Sequence, residues 1–159
     1  MILDYLRSPY HRDIEKGWGA FESGNLEKAE KHFQRVLSNE DDPDMGLPDL
    51  IDAHNGVAAV ARAHKDFFDA HRLYREAEYL ISKYYPKGTM PAHLSWNHVD
   101  QRPVLRTMIG LAHTAYLQGK LKEAQKYYNV VLQKDPRDHL GMKRYLHALD
   151  TGEHFPDRR

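Results

Sequence analysis

The sequence predicts an all-α protein, and three observations lead to that class. The same short pattern occurs at 22–41, 63–82 and 117–136. Each copy has a turn residue, then a large apolar residue, an alanine and an aromatic residue at fixed spacing. Between and within these copies, apolar residues recur at the three- and four-residue spacing of amphipathic helices. A unit of this kind cannot bury its apolar stripe alone, so we expect neighbouring units to stack.

Start and stop signals divide the chain into seven predicted helices. Capping side chains occur at Ser8, Asn25, Asp66 and Asp138, and prolines suited to a first helical turn occur at Pro9, Pro48 and Pro103. The predicted helices cover 9–23, 26–38, 48–64, 67–83, 103–118, 121–134 and 140–149. We interpret 1–159 as one domain with repeat one at about 8–39, repeat two at about 48–84, a long insert at about 84–101, repeat three at about 102–135 and a capping helix at about 138–150.

The small and aromatic residues of the repeats are expected to determine how the helices pack. We expect alanines where the two helices of each hairpin cross, because small side chains allow close approach. These alanines are Ala20, Ala29, Ala58, Ala61, Ala70, Ala112, Ala115 and Ala124. The aromatic residues Phe33, Tyr74 and Tyr128 are expected to fill the gap toward the next helix pair.

These residues resemble the tetratricopeptide repeat family. The third unit matches best, with Ala112, Tyr116, Gly119, Leu121, Ala124, Tyr128 and Asp135-Pro136. The first unit matches with Gly17, Phe21, Gly24, Leu26, Ala29 and Phe33, whereas the second has Lys65 in place of the turn glycine. The resemblance implies an α-solenoid, a right-handed superhelix of three helix hairpins with the seventh helix as a cap.

Two spacings depart from that family. A plain unit has about 34 residues, but Gly24 and Lys65 are 65 − 24 = 41 residues apart, and Lys65 and Gly119 are 119 − 65 = 54 apart. The excess lies in an acidic turn before Pro48 and in the insert at about 84–101. An insert of that length is either disordered or functional, and its Trp96 indicates that it folds back and packs.

In the family that the chain resembles, the first helix of each unit lines a concave groove. The corresponding residues here are His11, Ile14, Trp18, Phe21, Asp52, Asn55, Arg62, Arg106, Ile109, His113 and Tyr116. Such a surface suits an extended peptide or amphipathic helix with an apolar anchor and an acidic group for Arg62 or Arg106. Two alternatives remain open: Trp18 and Phe21 belong to the core between repeats, or they are covered by the amino-terminal MILDYL or by the insert around Trp96.

One activity of the family is not expected. Its co-chaperones hold the carboxyl terminus of heat-shock chaperones with lysine, asparagine and arginine side chains on the groove helices. Here Ile14 and Trp18 stand at the first-helix positions of that clamp, and Gly56 and Gly110 replace a later asparagine and cation. We therefore predict a non-catalytic scaffold for a protein or peptide partner other than a chaperone tail.

The sequence contains no strong motif for catalysis or for a bound cofactor. Without cysteine, thiolate nucleophiles and zinc–thiolate sites are excluded. The strongest local metal candidate is His93 with His98 and Asp100 in the insert, and their spacing is weak evidence. We expect three other histidines on solvated helix faces: His32, His64 and His71. The prediction is therefore no enzyme, no cofactor and no metal site.

Charge and hydropathy restrict the partners further. The formal charge of zero disfavours nucleic-acid binding, which needs a basic excess. Residues 1–80 contain 10 basic and 16 acidic side chains, or −6, whereas 81–159 contain 13 and 7, or +6. Opposite charges at two ends favour an alternative function, a weakly self-associating module assembled head to tail. No membrane-span or signal-peptide pattern is present, so we expect a cytoplasmic protein that does not bind membranes.

Overall fold

The computed structural model describes residues 8–152, which form seven α-helices and no β-strand. The helices are α1 (Pro9–Glu22), α2 (Leu26–Leu37), α3 (Leu47–Ala63), α4 (Phe67–Tyr84), α5 (Arg102–Leu117), α6 (Leu121–Lys134) and α7 (Met142–Thr151). The all-α prediction is confirmed for these residues. None of the helices in this range is long and apolar enough to cross a membrane.

Consecutive helices pack in pairs, and the pairs pack on one another. The three pairs are α1 with α2, α3 with α4, and α5 with α6. Contacts between α2 and α3 and between α4 and α5 join successive pairs, and α7 packs on α6. In addition, α3 contacts both α1 and α5, so these three helices form a continuous series that we call the first-helix row. The predicted crossing alanines are buried, except for Ala61, which is half-buried.

The turns within the three pairs have the same backbone conformation. Gly24, Lys65 and Gly119 have φ values of 81°, 63° and 77°. In each turn the N–H of the following residue donates to the carbonyl oxygen five positions before it, at 2.8–2.9 Å. This pattern satisfies carbonyl groups at the end of a helix. Lys65 adopts the left-handed conformation at a cost of roughly 1–2 kcal/mol, so the second repeat retains the turn without its glycine.

An aromatic ring lies against glycine where one pair meets the next. Phe33 is fully buried, and its ring lies so close to Gly17 and Gly56 that a Cβ would approach within 2.6 Å and 2.4 Å. The ring of Tyr74 lies against Gly110 in the same way, at 2.3 Å from an added Cβ. We call these contacts, across α2–α3 and α4–α5, the ring–glycine junctions. They confirm that the repeated aromatic residue packs toward the next pair.

The third aromatic residue packs without a glycine. The ring of Tyr128 stacks on that of Tyr145 in α7, with centroids 5.2 Å apart. His113 lies beside both rings, and its Nδ1 is 2.6 Å from the Tyr128 hydroxyl oxygen. Burial, aided by the positive charge of Arg62, lowers the pKa of His113 to about 3, so the ring stays neutral. Burial also raises the pKa of Tyr128, whose protonated hydroxyl can donate to the histidine nitrogen.

The insert is ordered against the helices rather than disordered. Leu94 is buried, and its N–H donates to the Lys134 carbonyl oxygen at 3.0 Å. The Lys134 Nζ in turn donates to the carbonyl oxygen of Pro91 at 2.7 Å. At the other end, the Nε of Arg102 donates to the carbonyl oxygen of Trp96 at 2.6 Å. The expected packing of Trp96 is confirmed.

Two predictions are wrong in detail. Helix α7 begins at Met142 instead of 140, because Gly141 directly before it has a left-handed backbone with a φ of 76°. The Asp138 carboxylate accepts from the Met142 N–H from outside the helix. His71 is not on a solvated face: it is 7% exposed, and its Nδ1 lies 2.6 Å from the Thr114 hydroxyl oxygen. The α5–α6 pair covers that face of α4. The MILDYL segment proposed as a cover lies outside the described residues.

Candidate functional site

A cleft of about 280 Å³ lies on the first-helix row, where α1, α3 and α5 meet the insert. We call it the Trp18 cleft. The insert forms one of its walls through Val99 and does not fill it. Of the eleven predicted groove residues, the cleft contains His11, Ile14, Trp18, Asp52 and Arg106.

The cleft is organised around the carboxylate of Asp52, which is 2% exposed. Its Oδ2 accepts from the indole Nε1 of Trp18 at 2.9 Å and from the Nη1 of Arg106 at 2.6 Å. Its Oδ1 accepts from the Nδ2 of Asn55 at 3.2 Å. We call this arrangement the Asp52 hub. A single buried carboxylate of α3 is thereby bonded to both α1 and α5, and Arg106 compensates its charge.

Arg106 also contacts two aromatic rings, in addition to its bond at Nη1. Its guanidinium carbon lies 4.5 Å from the centre of the Trp18 ring and 4.8 Å from the centre of the Trp96 ring. Cations are attracted to the faces of aromatic rings at such distances. Arg106 therefore connects the insert to the first-helix row, and an incoming acidic group would have to compete with Asp52 for it.

His11, which lines the cleft, makes a second set of contacts with carboxylates. His11 is 5% exposed, and its Nδ1 lies 3.2 Å from Oδ1 of Asp49 in α3. Its Nε2 lies 3.2 Å from Oε1 of Glu15. The hydrogen bond to Asp49 raises the pKa of His11 in spite of burial. His11 thus joins α1 to α3 as a partner of two carboxylates.

The other six predicted groove residues lie outside the cleft. Asn55 is fully buried, and its Nδ2 also donates to the carbonyl oxygen of Pro103 at 2.9 Å. His113 belongs to the contact with α6 and α7 described above. Arg62 follows Asp52 by ten residues on α3, or about 15 Å along the helix axis. Three further residues are half-buried along the row: Phe21, Ile109 and Tyr116.

Half of the cleft was missed by reasoning from sequence. The missed lining residues are Glu15, Gly19, Glu22, Val99 and Arg102. Glu15 and Glu22 follow His11 and Trp18 by four positions each, so helical spacing contained a signal for them. Val99 belongs to the insert, where no helical periodicity predicts which way a side chain points. Its place in the wall depends on how the insert folds back.

A second cavity, of about 410 Å³, lies between α4, α5, α6 and the insert. Apolar side chains form much of its lining, among them Ile81, Met90, Met108 and Val130. None of the predicted groove residues lines it, so the Trp18 cleft remains the candidate site.

The metal candidate of the insert has no supporting geometry. His93 and His98 are exposed, and the Oδ2 of Asp100 accepts from the Tyr84 hydroxyl at 3.2 Å. Within 8–152, no group of three or more histidine, aspartate or glutamate side chains is placed to hold a metal ion.

Comparisons with known proteins do not add an assignment. No protein-family model matches the chain, and no curated protein or solved structure matches it significantly. The tetratricopeptide-repeat resemblance therefore rests on the repeated residues alone.

Proposed function

We propose that this protein is a tetratricopeptide-like solenoid whose first-helix row binds a peptide or helix of a partner protein. The Trp18 cleft is its primary contact. The observation that carries the proposal is the open cleft that remains on this row beside the folded insert. The continuous contacts of α1, α3 and α5 and the common turn conformation support the solenoid, because stacked repeats present one shared surface.

The size and lining of the cleft favour a peptide side chain as the occupant. Pockets for drug-sized ligands enclose about 300–1,000 Å³, so a cleft of about 280 Å³ lies just below that range. Trp18 is half-buried in its wall, and the space beside Gly19 is open, since a Cβ there would meet no atom within 4 Å. One side chain of a partner can therefore enter without rearrangement of the helices.

The proposed function is non-catalytic. The buried ionisable groups of the cleft, Asp52 and His11, are engaged in contacts that hold α1, α3 and α5 together. Their partners are side chains of the protein itself, which favours a structural role over acid–base chemistry on a substrate.

Filling the cleft tests this function. Gly19 lines the cleft, the Cβ of Gly19→Leu would lie in open space, and leucine is a better helix former than glycine. Gln34→Leu, exposed on α2, adds a similar apolar surface away from the cleft. In affinity capture from native lysate, proteins retained by the unchanged protein and by Gln34→Leu should be lost with Gly19→Leu. Equal capture by all three would contradict the assignment of the cleft.

A second candidate is self-association through opposed charges. Within the described residues, 8–80 contain 9 basic and 15 acidic side chains, and 81–152 contain 11 and 5. The amino-terminal range therefore has an acidic excess and the carboxyl-terminal range a basic one, which favours head-to-tail contact at low ionic strength. Light scattering over a salt series measures it: a mass that falls as salt rises supports self-association, and a monomer throughout removes it.

A further inference from the structure

We infer that the Trp18 cleft selects a basic side chain, lysine or arginine, of the partner peptide. The inference rests on the proposed function and deepens it by naming the class of residue that enters. Its basis is a difference between the charged groups that line the cleft. The carboxylates of Glu15 and Glu22 are at most partly compensated, whereas Arg102 and Arg106 are engaged with groups of the protein.

The exposed carboxylates that line the cleft belong to α1. Glu15 and Glu22 are exposed and line the cleft on either side of Gly19. They are two helical turns apart, so their Cα atoms are separated by about 10 Å along one face. Glu22 has no ion pair or side-chain hydrogen bond with residues 8–152. Glu15 is partly compensated by His11, at 3.2 Å, so Glu22 presents the larger unbalanced negative charge.

The cations across the cleft are held by groups of the protein itself. Arg106 donates to Asp52, and its guanidinium carbon lies within 5 Å of the centres of two indole rings. The Nε of Arg102 donates to the Trp96 carbonyl oxygen at 2.6 Å, and its guanidinium lies 5.7 Å from the centre of that ring. An acidic ligand would have to displace these contacts, whereas a basic ligand adds a partner to Glu22 without breaking one.

The shape of the cleft suits a long side chain with a charged end. Lysine and arginine bury their aliphatic stems against apolar surface and keep the charge at the edge. The stem would lie in the open space beside Gly19 and along Trp18 and Ile14, and the charge would reach the exposed carboxylate of Glu22. A short acidic side chain placed there would face Glu15 and Glu22 and be repelled.

A selection from displayed random linear peptides tests the inference. Peptides are selected on the unchanged protein, and those that also bind Gly19→Leu are discarded. We expect the remaining peptides to be enriched in lysine or arginine. Replacement of that basic residue by norleucine, which keeps the stem and removes the charge, should weaken binding about threefold to tenfold.

Variants of the acidic wall identify the partner of the charge. Binding of the selected peptides should weaken about threefold to tenfold in Glu22→Gln, less in Glu15→Gln, and return in part in Glu22→Asp. Glu27→Gln, a matched exposed change on α2, should leave the dissociation constant unchanged. Circular dichroism checks that each variant keeps its helicity.

The outcomes separate the inference from the proposed function. Peptides that need the open cleft but carry no basic residue, or that bind Glu22→Gln as well as the unchanged protein, overturn the inference alone. If no peptide distinguishes the unchanged protein from Gly19→Leu, both the inference and the proposed cleft function fail.

Discussion

The ring–glycine junctions and the Asp52 hub join the same helix pairs by opposite chemistry. At the junctions, the rings of Phe33 and Tyr74 press on glycine backbone, and the contact depends on shape. At the hub, one buried carboxylate accepts from three side chains, and the contact depends on charge and direction. The junctions recur with the repeat, but the hub occurs once and lies where the cleft opens. Stacking and the candidate recognition site are therefore supported by separate contacts.

Removal of the hub carboxylate should have the largest effect on stability. Asp52→Ala leaves Arg106, the Trp18 N–H and the Asn55 amide without their acceptor. We expect a loss of about 2–4 kcal/mol in the free energy of unfolding, below the full cost of breaking a buried pair because Arg106 is partly solvated. Urea unfolding measures it.

The matched control for the hub is an exposed pair. Asp69→Ala removes the partner of Arg72 at 2.7 Å on the surface of α4, where both side chains are about half exposed. Such pairs contribute about 0–1 kcal/mol. Equal losses in Asp52→Ala and Asp69→Ala would show that the hub does not hold the row together.

A single methyl group should disrupt a ring–glycine junction. In Gly56→Ala the new Cβ would lie 2.4 Å from ring atoms of Phe33, so the ring or the helix must shift. We expect a loss of about 1–3 kcal/mol from overpacking, although alanine is the better helix former. Thermal or urea unfolding measures the change.

Gly19→Ala is the matched control on the same row. It adds the same atom in open space, so it should stabilise α1 by up to about 1 kcal/mol. Opposite signs for the two substitutions would confirm that packing against Phe33, and not helix propensity, decides the effect at Gly56. Loss of stability in both would contradict this.

The remaining effect is a dependence on pH at the third aromatic contact, which contains a histidine where the ring–glycine junctions contain none. The pKa of His113 is about 3 in the folded protein and about 6.5 in an unfolded chain. Its neutral form is favoured by folding, so the associated stability is complete above pH 6.5. It is lost as pH falls toward 3, by up to about 1.4 kcal/mol per pH unit.

His113→Gln should remove this slope. The difference in unfolding free energy between the unchanged protein and the variant should then shift between pH 6 and pH 4, in the direction that favours the variant at lower pH. His64→Gln, an exposed substitution at the end of α3, serves as the control and should not change the slope. Parallel pH curves for the unchanged protein and His113→Gln would contradict the neutral, buried state of this histidine.

Much of the fold was predictable because its signals are local. Asn25 and Asp66 cap their helices through bonds to the third residue beyond, at 3.1 and 3.2 Å, as expected from sequence. The prediction failed where an element distant in sequence determines burial. Helical spacing places His71 on the outer face of α4, but the α5–α6 pair packs over that face and buries it. Asp138 was expected to cap a helix that begins at 140, but the left-handed Gly141 lies between it and the first helical residue, Met142.

The candidate site was predictable only in part, for the same reason. Helical spacing placed Trp18 on the groove face of α1 and Asp52 on that of α3. The hydrogen bond between them joins residues 34 positions apart, so it forms only when the two helices pack together. Arg106 was expected to offer its charge to a partner. It is instead bonded to Asp52, because burial of that carboxylate requires a nearby cation.

The helices, the turns and the repeated ring that joins one pair to the next follow from local sequence. These depend on capping, spacing and side-chain size within a few positions. Which charges are paired within the protein, and where the insert lies against the first-helix row, depend on how the helix pairs stack. Both depend on groups brought together from separate helices, whose distances and burial do not exist until the pairs have stacked.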